Sequence, residues 1–206
     1  MILARLILTF NVLFLVLSTW KLDLDDNDLS GTFPSGLGNL RNLTQAYLNG
    51  NQFSGTLPAG IFEHLGKLSV LSVYKLLLTG TVPTEVGLLT SLKTNFFLAE
   101  NDFTGTIPSE LGLLSNVGII SLHATSLSGT LPSELLRLTN LEVLSVSDTS
   151  LTGSIPDGLC GRIYDLEFSC LDTNYETELV LCTGIKAVNF SCSASLLCGC
   201  NCDACT

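Results

Sequence analysis

Basic residues are scarce in this chain. Nine lysines and arginines face nineteen aspartates and glutamates across 206 residues, for a formal net charge of −10. No stretch could neutralise a run of phosphates, so nucleic acid is excluded as a partner. Anionic lipid is disfavoured for the same reason. Histidine occurs twice, at His64 and His123, too far apart in sequence to form a local metal motif. Gly-rich phosphate loops and kinase signatures are missing, and no catalytic residue, cofactor or bound metal is expected. Apolar runs long enough to span a bilayer are missing too: the longest, Leu6 to Leu17, holds twelve residues and is interrupted by Asn11. Cysteine is absent from the first 159 residues. Proline is rare, with six in all.

Those six prolines occupy one phase of one repeat. Each closes a Gly-x-x-Pro step, at Gly31/Pro34, Gly55/Pro58, Gly80/Pro83, Gly105/Pro108, Gly129/Pro132 and Gly153/Pro156, with successive prolines 24 or 25 residues apart. Self-similarity at this period marks a solenoid, whose turns bury their apolar sides against one another. Seven and nine residues before each Gly lie apolar pairs, from Leu24 with Leu22 to Val146 with Leu144. That alternation is a short strand with one buried face. Four before Gly stand Asn27, Asn51, Leu76, Asn101, Thr125 and Thr149. An inward Asn can satisfy backbone groups of the following bend; Leu76 cannot, and threonine reaches fewer. Leucines after each Pro, such as Leu40/Leu43, Leu89/Leu92 and Leu138/Leu141, predict a helical turn on the opposite side. Two turns carry an extra residue, one before Leu68 and one near Lys93–Asn95, where a bulge is expected.

The unit L-x-L-x-x-N-x-L-S-G-T-x-P resembles the plant-type extracellular leucine-rich repeat over roughly residues 20–159. The resemblance implies an α/β solenoid: a right-handed superhelix of six repeats with a concave parallel β-sheet, a second short strand near S/T-G-T and helical turns on the convex side. It also implies a receptor or co-receptor ectodomain, or an inhibitor, here without a kinase.

The ends differ from the middle. Residues 1–20 read as a signal peptide, an uncleaved membrane anchor, or a hydrophobic cap on the first turn. A cysteine-containing N-terminal cap, usual in the resembled family, is missing, which leaves a shortened gene model open. After the solenoid (21–159), residues 160–206 hold Cys160, Cys170, Cys182, Cys192, Cys198, Cys200, Cys202 and Cys205. An even number confined to one end reads as a disulfide-bonded cap of unassigned pairing. Its rival is a soft-metal site in Cys198–Cys205, which lacks histidine and paired C-x-x-C knuckles. Asn42 and Asn189 begin glycosylation sequons. Together these features predict a protein secreted, or anchored at the cell surface through residues 1–20.

Between the buried leucines, strand residues point outward and are free for recognition. Eight before Gly they read Asp23, Tyr47, Ser72, Phe97, Ser121 and Ser145; six before, Asp25, Asn49, Tyr74, Ala99, His123 and Ser147. Tyr47, Tyr74, Phe97 and His123 form the expected ligand-binding patch for a protein, peptide or glycan. A membrane receptor or co-receptor is a further expected partner. Asp23, Asp25, Asp26 and Asp28 read as a solvated end turn, with a cation or basic-peptide site as the alternative. A different function class rests on Ser or Thr flanking every Gly: a structural wall or matrix protein, or an ice-binding surface built on hydroxyl rows.

Overall fold

The computed structural model describes residues 19–153, 155, 156, 158 and 159, and the backbone of Asp165–Glu167. It is a solenoid of two parallel sheets. The front sheet contains β1 (Lys21–Asp23), β3 (Gln45–Tyr47), β5 (Val70–Ser72), β7 (Asn95–Phe97), β9 (Ile119–Ser121), β11 (Val143–Ser145) and β13 (Asp165–Glu167), in that order. The flank sheet contains β2 (Ser30–Thr32), β4 (Gln52–Thr56), β6 (Leu77–Thr81), β8 (Asp102–Thr106), β10 (Ser126–Gly129) and β12 (Ser150–Leu151). Every recorded pairing is parallel and joins equivalent residues of successive turns, as Leu22↔Ala46 and Ala46↔Leu71 illustrate. A three-residue strand has no independent stability, so stacking supplies it.

Each Gly of the repeat bends the chain out of the flank sheet, with φ from +78° to +106°. Each Pro from Pro34 to Pro132 then sits extended, with φ between −73° and −65°, directly before a 3₁₀ turn. The convex side is therefore built of 3₁₀ turns of three to five residues. Gly38, Gly87 and Gly112 let these turns approach closely; a Cβ on Gly112 would meet the carbonyl of Glu134. Turn two holds Phe62 at that position, fully buried, and its 3₁₀ segment is the shortest, Ala59–Ile61. This is the turn with the extra convex residue.

Both irregularities lie where the spacing predicted. β5 and β7 pair through two residues, Leu71↔Phe96 and Ser72↔Phe97, whereas β7 and β9 pair through three. In other turns the second of two residues donating to one carbonyl opens the strand, as Gln45 does on Trp20 O, whereas Lys93 and Thr94 donate to Ser69 O and β7 opens only at Asn95, so the surplus residue is absorbed ahead of β7. The core runs unbroken from Leu22 to Leu159 and includes every apolar residue at the seven- and nine-before positions. Its side chains at the joints are aliphatic apart from a few aromatics, among them an edge-on pair, Phe33 and Phe53, 6.2 Å apart.

Asn51 and Asn101 act as expected. The Asn51 amide donates to Leu24 O, Leu48 O and Asn49 O at 2.8–3.1 Å, and its Oδ1 accepts from Leu29 N at 3.1 Å. Asn101 repeats the set with Val73, Leu98, Ala99 and Leu78. Thr125 and Thr149 each reach one carbonyl, within their own turn.

Candidate functional site

The front sheet leaves one face uncovered among the described residues, and its two outward rows are not uniformly exposed. In the row eight before Gly, Tyr47 and Phe97 are half-buried while Ser72 between them is 2% exposed. In the row six before, Tyr74 and His123 are half-buried, and Asn49 and Ala99 beside them are buried. Large and small side chains thus alternate along and across the strands. A large side chain above a pleated sheet leans over its smaller neighbours, so five of the twelve positions expected to be free are consumed in packing. The four residues of the expected patch stand on four successive turns: Tyr47 and Phe97 end β3 and β7, and Tyr74 and His123 lie two residues beyond β5 and β9, with the register Tyr47↔Ser72↔Phe97↔Ser121 aligning the turns. Its rings do not stack, since the close ring pair among the described residues is Phe33 with Phe53.

Polar groups fix this surface from below. Asn49 Oδ1 accepts from Ser72 Oγ at 2.8 Å and from Tyr74 N at 3.0 Å, which seats Tyr74 against its neighbour. His123 Nδ1 lies 2.9 Å from Ser121 Oγ and 3.3 Å from Ser145 Oγ, both serines being buried. Its Nε2 faces Glu100 Oε1 at 3.9 Å. When a serine hydroxyl donates to Nδ1, the ring proton resides on Nε2 and points toward that carboxylate.

At the N-terminal end, Asp25 Oδ1 accepts from Asn49 N at 2.8 Å. Partial burial pushes the Asp25 carboxyl above the ordinary carboxylate value, and the hydrogen bonds from Asn49 offset only part of that. The Lys21 ammonium is held above its usual value by a hydrogen bond to Asp23, 3.0 Å away, and by that carboxylate's charge. Lys21 also sits 5.2 Å over the Tyr47 ring, a cation–π distance. Of the four early aspartates, Asp23 and Asp25 therefore have protein partners.

Glu100 was not among the residues singled out from the sequence. It belongs to a column five before each Gly, Asp26, Gly50, Lys75, Glu100, Ala124 and Asp148, whose φ values all lie between +50° and +61°. Gly50, and more weakly Asp26 and Asp148, carried a sequence signal for that backbone; Lys75, Glu100 and Ala124 are ordinary residues in the left-handed region.

On the flank sheet the hydroxyl rows divide. Ser54, Thr79, Thr104, Ser128 and Thr152 donate to the Gly carbonyl of the preceding turn at 3.2–3.4 Å. The Thr that follows each Gly from Gly31 to Gly129 turns its methyl under the next Gly, where the Thr56, Thr81, Thr106 and Thr130 Cγ2 atoms fill the space of the missing Cβ. A shallow groove of about 540 Å³ follows, lined by Thr81, Thr106, Thr130, Ile107 and Pro108 among others.

Asn42 is exposed on the convex side and accepts from Lys67 Nζ at 2.8 Å. The eight cysteines, Asn189 and the N-terminal apolar run lie outside the described residues. Among the described residues there is no metal-ligating cluster of His, Cys, Asp and Glu, and no helix long and apolar enough to cross a membrane.

The Leucine Rich Repeat family model matches residues 18–40 and 140–161. A chain of the BIR3–SERK2 complex from Arabidopsis thaliana is 33% identical over 63% of this chain and 68% of its own, with a TM-score of 0.57. The Arabidopsis receptor kinase HAESA, solved with the peptide hormone IDA and the co-receptor SERK1, is 28% identical over 86% of this chain and 30% of its own, with a TM-score of 0.69. A plant ice-binding protein shares the fold alone, at 20% identity over 86% of this chain and 73% of its own, with a TM-score of 0.57. This chain spans between 18% and 30% of the length of the first receptor chains it matches. No curated protein sequence matches it.

Proposed function

Because this chain belongs to the plant-type leucine-rich-repeat family, we propose that it is a non-catalytic recognition module, acting outside the cell or at its surface, that binds a protein, peptide or glycan on its front face. The observation that carries this is the group of Tyr47, Tyr74, Phe97 and His123, all half-buried on an uncovered sheet, with the Tyr74 backbone and the His123 ring fixed by hydrogen bonds. Anchored aromatics lose little side-chain freedom on binding, which is what a hot spot requires. Solved relatives support a peptide ligand and a co-receptor as partner classes, since HAESA was captured with both. In this reading residues 1–20 direct or anchor the chain, residues 21–159 recognise the ligand, and residues 160–206 form a disulfide-rich cap with Asn42 and Asn189 glycosylated.

The test is a binding screen of the full chain against a panel of extracellular receptor ectodomains and secreted peptides. Tyr47→Ala, Tyr74→Ala and Phe97→Ala should each weaken a captured partner while the melting temperature confirms folding. A partner bound equally well by the combined triple variant would sink the front-face reading.

Ice binding is the second reading, favoured by the Thr row that follows Gly31 to Gly129, whose rotamers are pinned by methyl contacts under the next Gly. The row before each Gly is taken up by carbonyl bonds, so a single row stays available. Thermal hysteresis of the purified protein decides it.

A further inference from the structure

Resting on that front-face reading, we propose that the ligand is an extended peptide segment with a basic side chain next to a large apolar one, the basic group pairing with Glu100. Glu100 lies on the rim of the face, three residues after Phe97, with φ of +52°. Among the described residues, the group within ion-pair range of its carboxylate is the His123 ring, and at 3.9 Å that contact is too long for a hydrogen bond. The carboxylate therefore keeps acceptor capacity for an incoming donor. His123 is held in place by Ser121 and Ser145, so it walls the position rather than collapsing onto Glu100.

The apolar half of the site lies alongside. Tyr74, Phe97 and His123 surround Ala99, which is 1% exposed, and so form a closed platform rather than a hole. An aliphatic or aromatic side chain packs on such a platform, and the stem of a Lys or Arg crosses it toward the rim. Charge selects the sign of the ligand. Lys75 stands one turn from Glu100 on the rim, and Lys21 at the far end of the face is tied to Asp23. The rim also carries Asp26 and Asp148, and the chain as a whole is at −10. An acidic segment would be repelled on approach and would lose water from a carboxylate beside Glu100, whereas a basic one gains a charge-assisted bond.

The test is selection of a random linear-peptide display library on the full chain, with affinities of enriched peptides measured on variants. Enriched peptides should pair Lys or Arg with a neighbouring large apolar residue. Glu100→Gln should weaken them about tenfold, as loss of one charge-assisted contact does. Phe97→Ala should weaken them too, and Glu100→Lys should shift selection toward Asp and Glu. Peptides that lack basic residues yet depend on Phe97 would overturn this proposal and leave the front-face reading standing. No enrichment, or peptides indifferent to both Phe97→Ala and Glu100→Gln, would overturn both.

Discussion

Ala124 occupies a backbone conformation that suits glycine, with φ of +51° and no polar side chain to compensate. A Cβ in the left-handed region costs about 1 kcal/mol, partly offset by the extra unfolded-state freedom a glycine brings. Ala124→Gly should therefore stabilise by about 0.5 kcal/mol, read as a rise in melting temperature; a fall would mean the Ala124 methyl packs more than its position suggests. The opposite holds at Gly50, where a Cβ would run into the Asp26 carboxylate. Asp25 supplies a pH signature. Burial raises its folded-state pKa above the ordinary 3.8, so the native chain holds that proton more tightly than the unfolded chain. The stability this contributes is complete below the unfolded value and is lost as pH rises through the folded one. Asp25→Asn removes the effect while keeping an oxygen for Asn49 N. Its melting temperature relative to the parent should climb as pH is raised from 3.8 through the folded-state pKa, then level off. A relative decline over that window would contradict the burial argument.

Short elements place the turns, and the joints between them differ. Asn51 ties turns one and two, and Asn101 ties turns three and four, each through four backbone groups. Leu76 leaves the joint between turns two and three without the inward Asn, so Asn49 Oδ1, bonded to Ser72 Oγ and Tyr74 N, is its buried side-chain tie, and Thr125 and Thr149 bond within their own turns. Thr125→Asn should recover the cross-turn bonds and stabilise by about 1 kcal/mol in chemical denaturation, unless the longer side chain cannot enter the joint. On the convex side Gly112→Ala would press a Cβ into the Glu134 backbone and should cost about 1–3 kcal/mol, whereas Gly36→Ala meets nothing within 4 Å and should be neutral. These contrasts mark what was readable in the sequence. Strand phase, buried leucines, the Asn bonds and the two surplus residues follow from hydrophobic period and side-chain chemistry, so Leu22, Asn51 and Lys93–Asn95 were readable. The left-handed column was not, because Lys75 and Glu100 carry no local preference for positive φ and stacking imposes it. Nor was the burial of Ser72 and Ala99, which depends on which residue the neighbouring turn places beside them. Of the site, Tyr47, Tyr74, Phe97 and His123 were legible as outward positions, and Glu100 was not, since its rim position depends on that imposed backbone.

In the whole molecule each turn touches only its neighbours, so stability is close to a sum of turn and joint terms. Damage to one joint should then stay near it. Asn101→Ala leaves the Leu78 N–H and the Val73, Leu98 and Ala99 carbonyls without their side-chain partner in a buried joint. The loss should be about 3 kcal/mol, comparable to several unmet buried groups after partial relaxation. Hydrogen exchange reads where that loss falls. Amides of β5 to β8 should exchange faster, while Leu24 and Asp26, bonded to Tyr47 O and Asn49 O in the first joint, keep their protection. The joint at Leu76 lies between the two regions; it has the two bonds of Asn49 Oδ1 but not the four of an inward Asn, which makes it the natural boundary for such a local opening. An equal gain in exchange across all six turns would show that the stack opens as one unit. The front face would then owe its rigidity to the entire coil rather than to the joint directly beneath Tyr74 and Phe97.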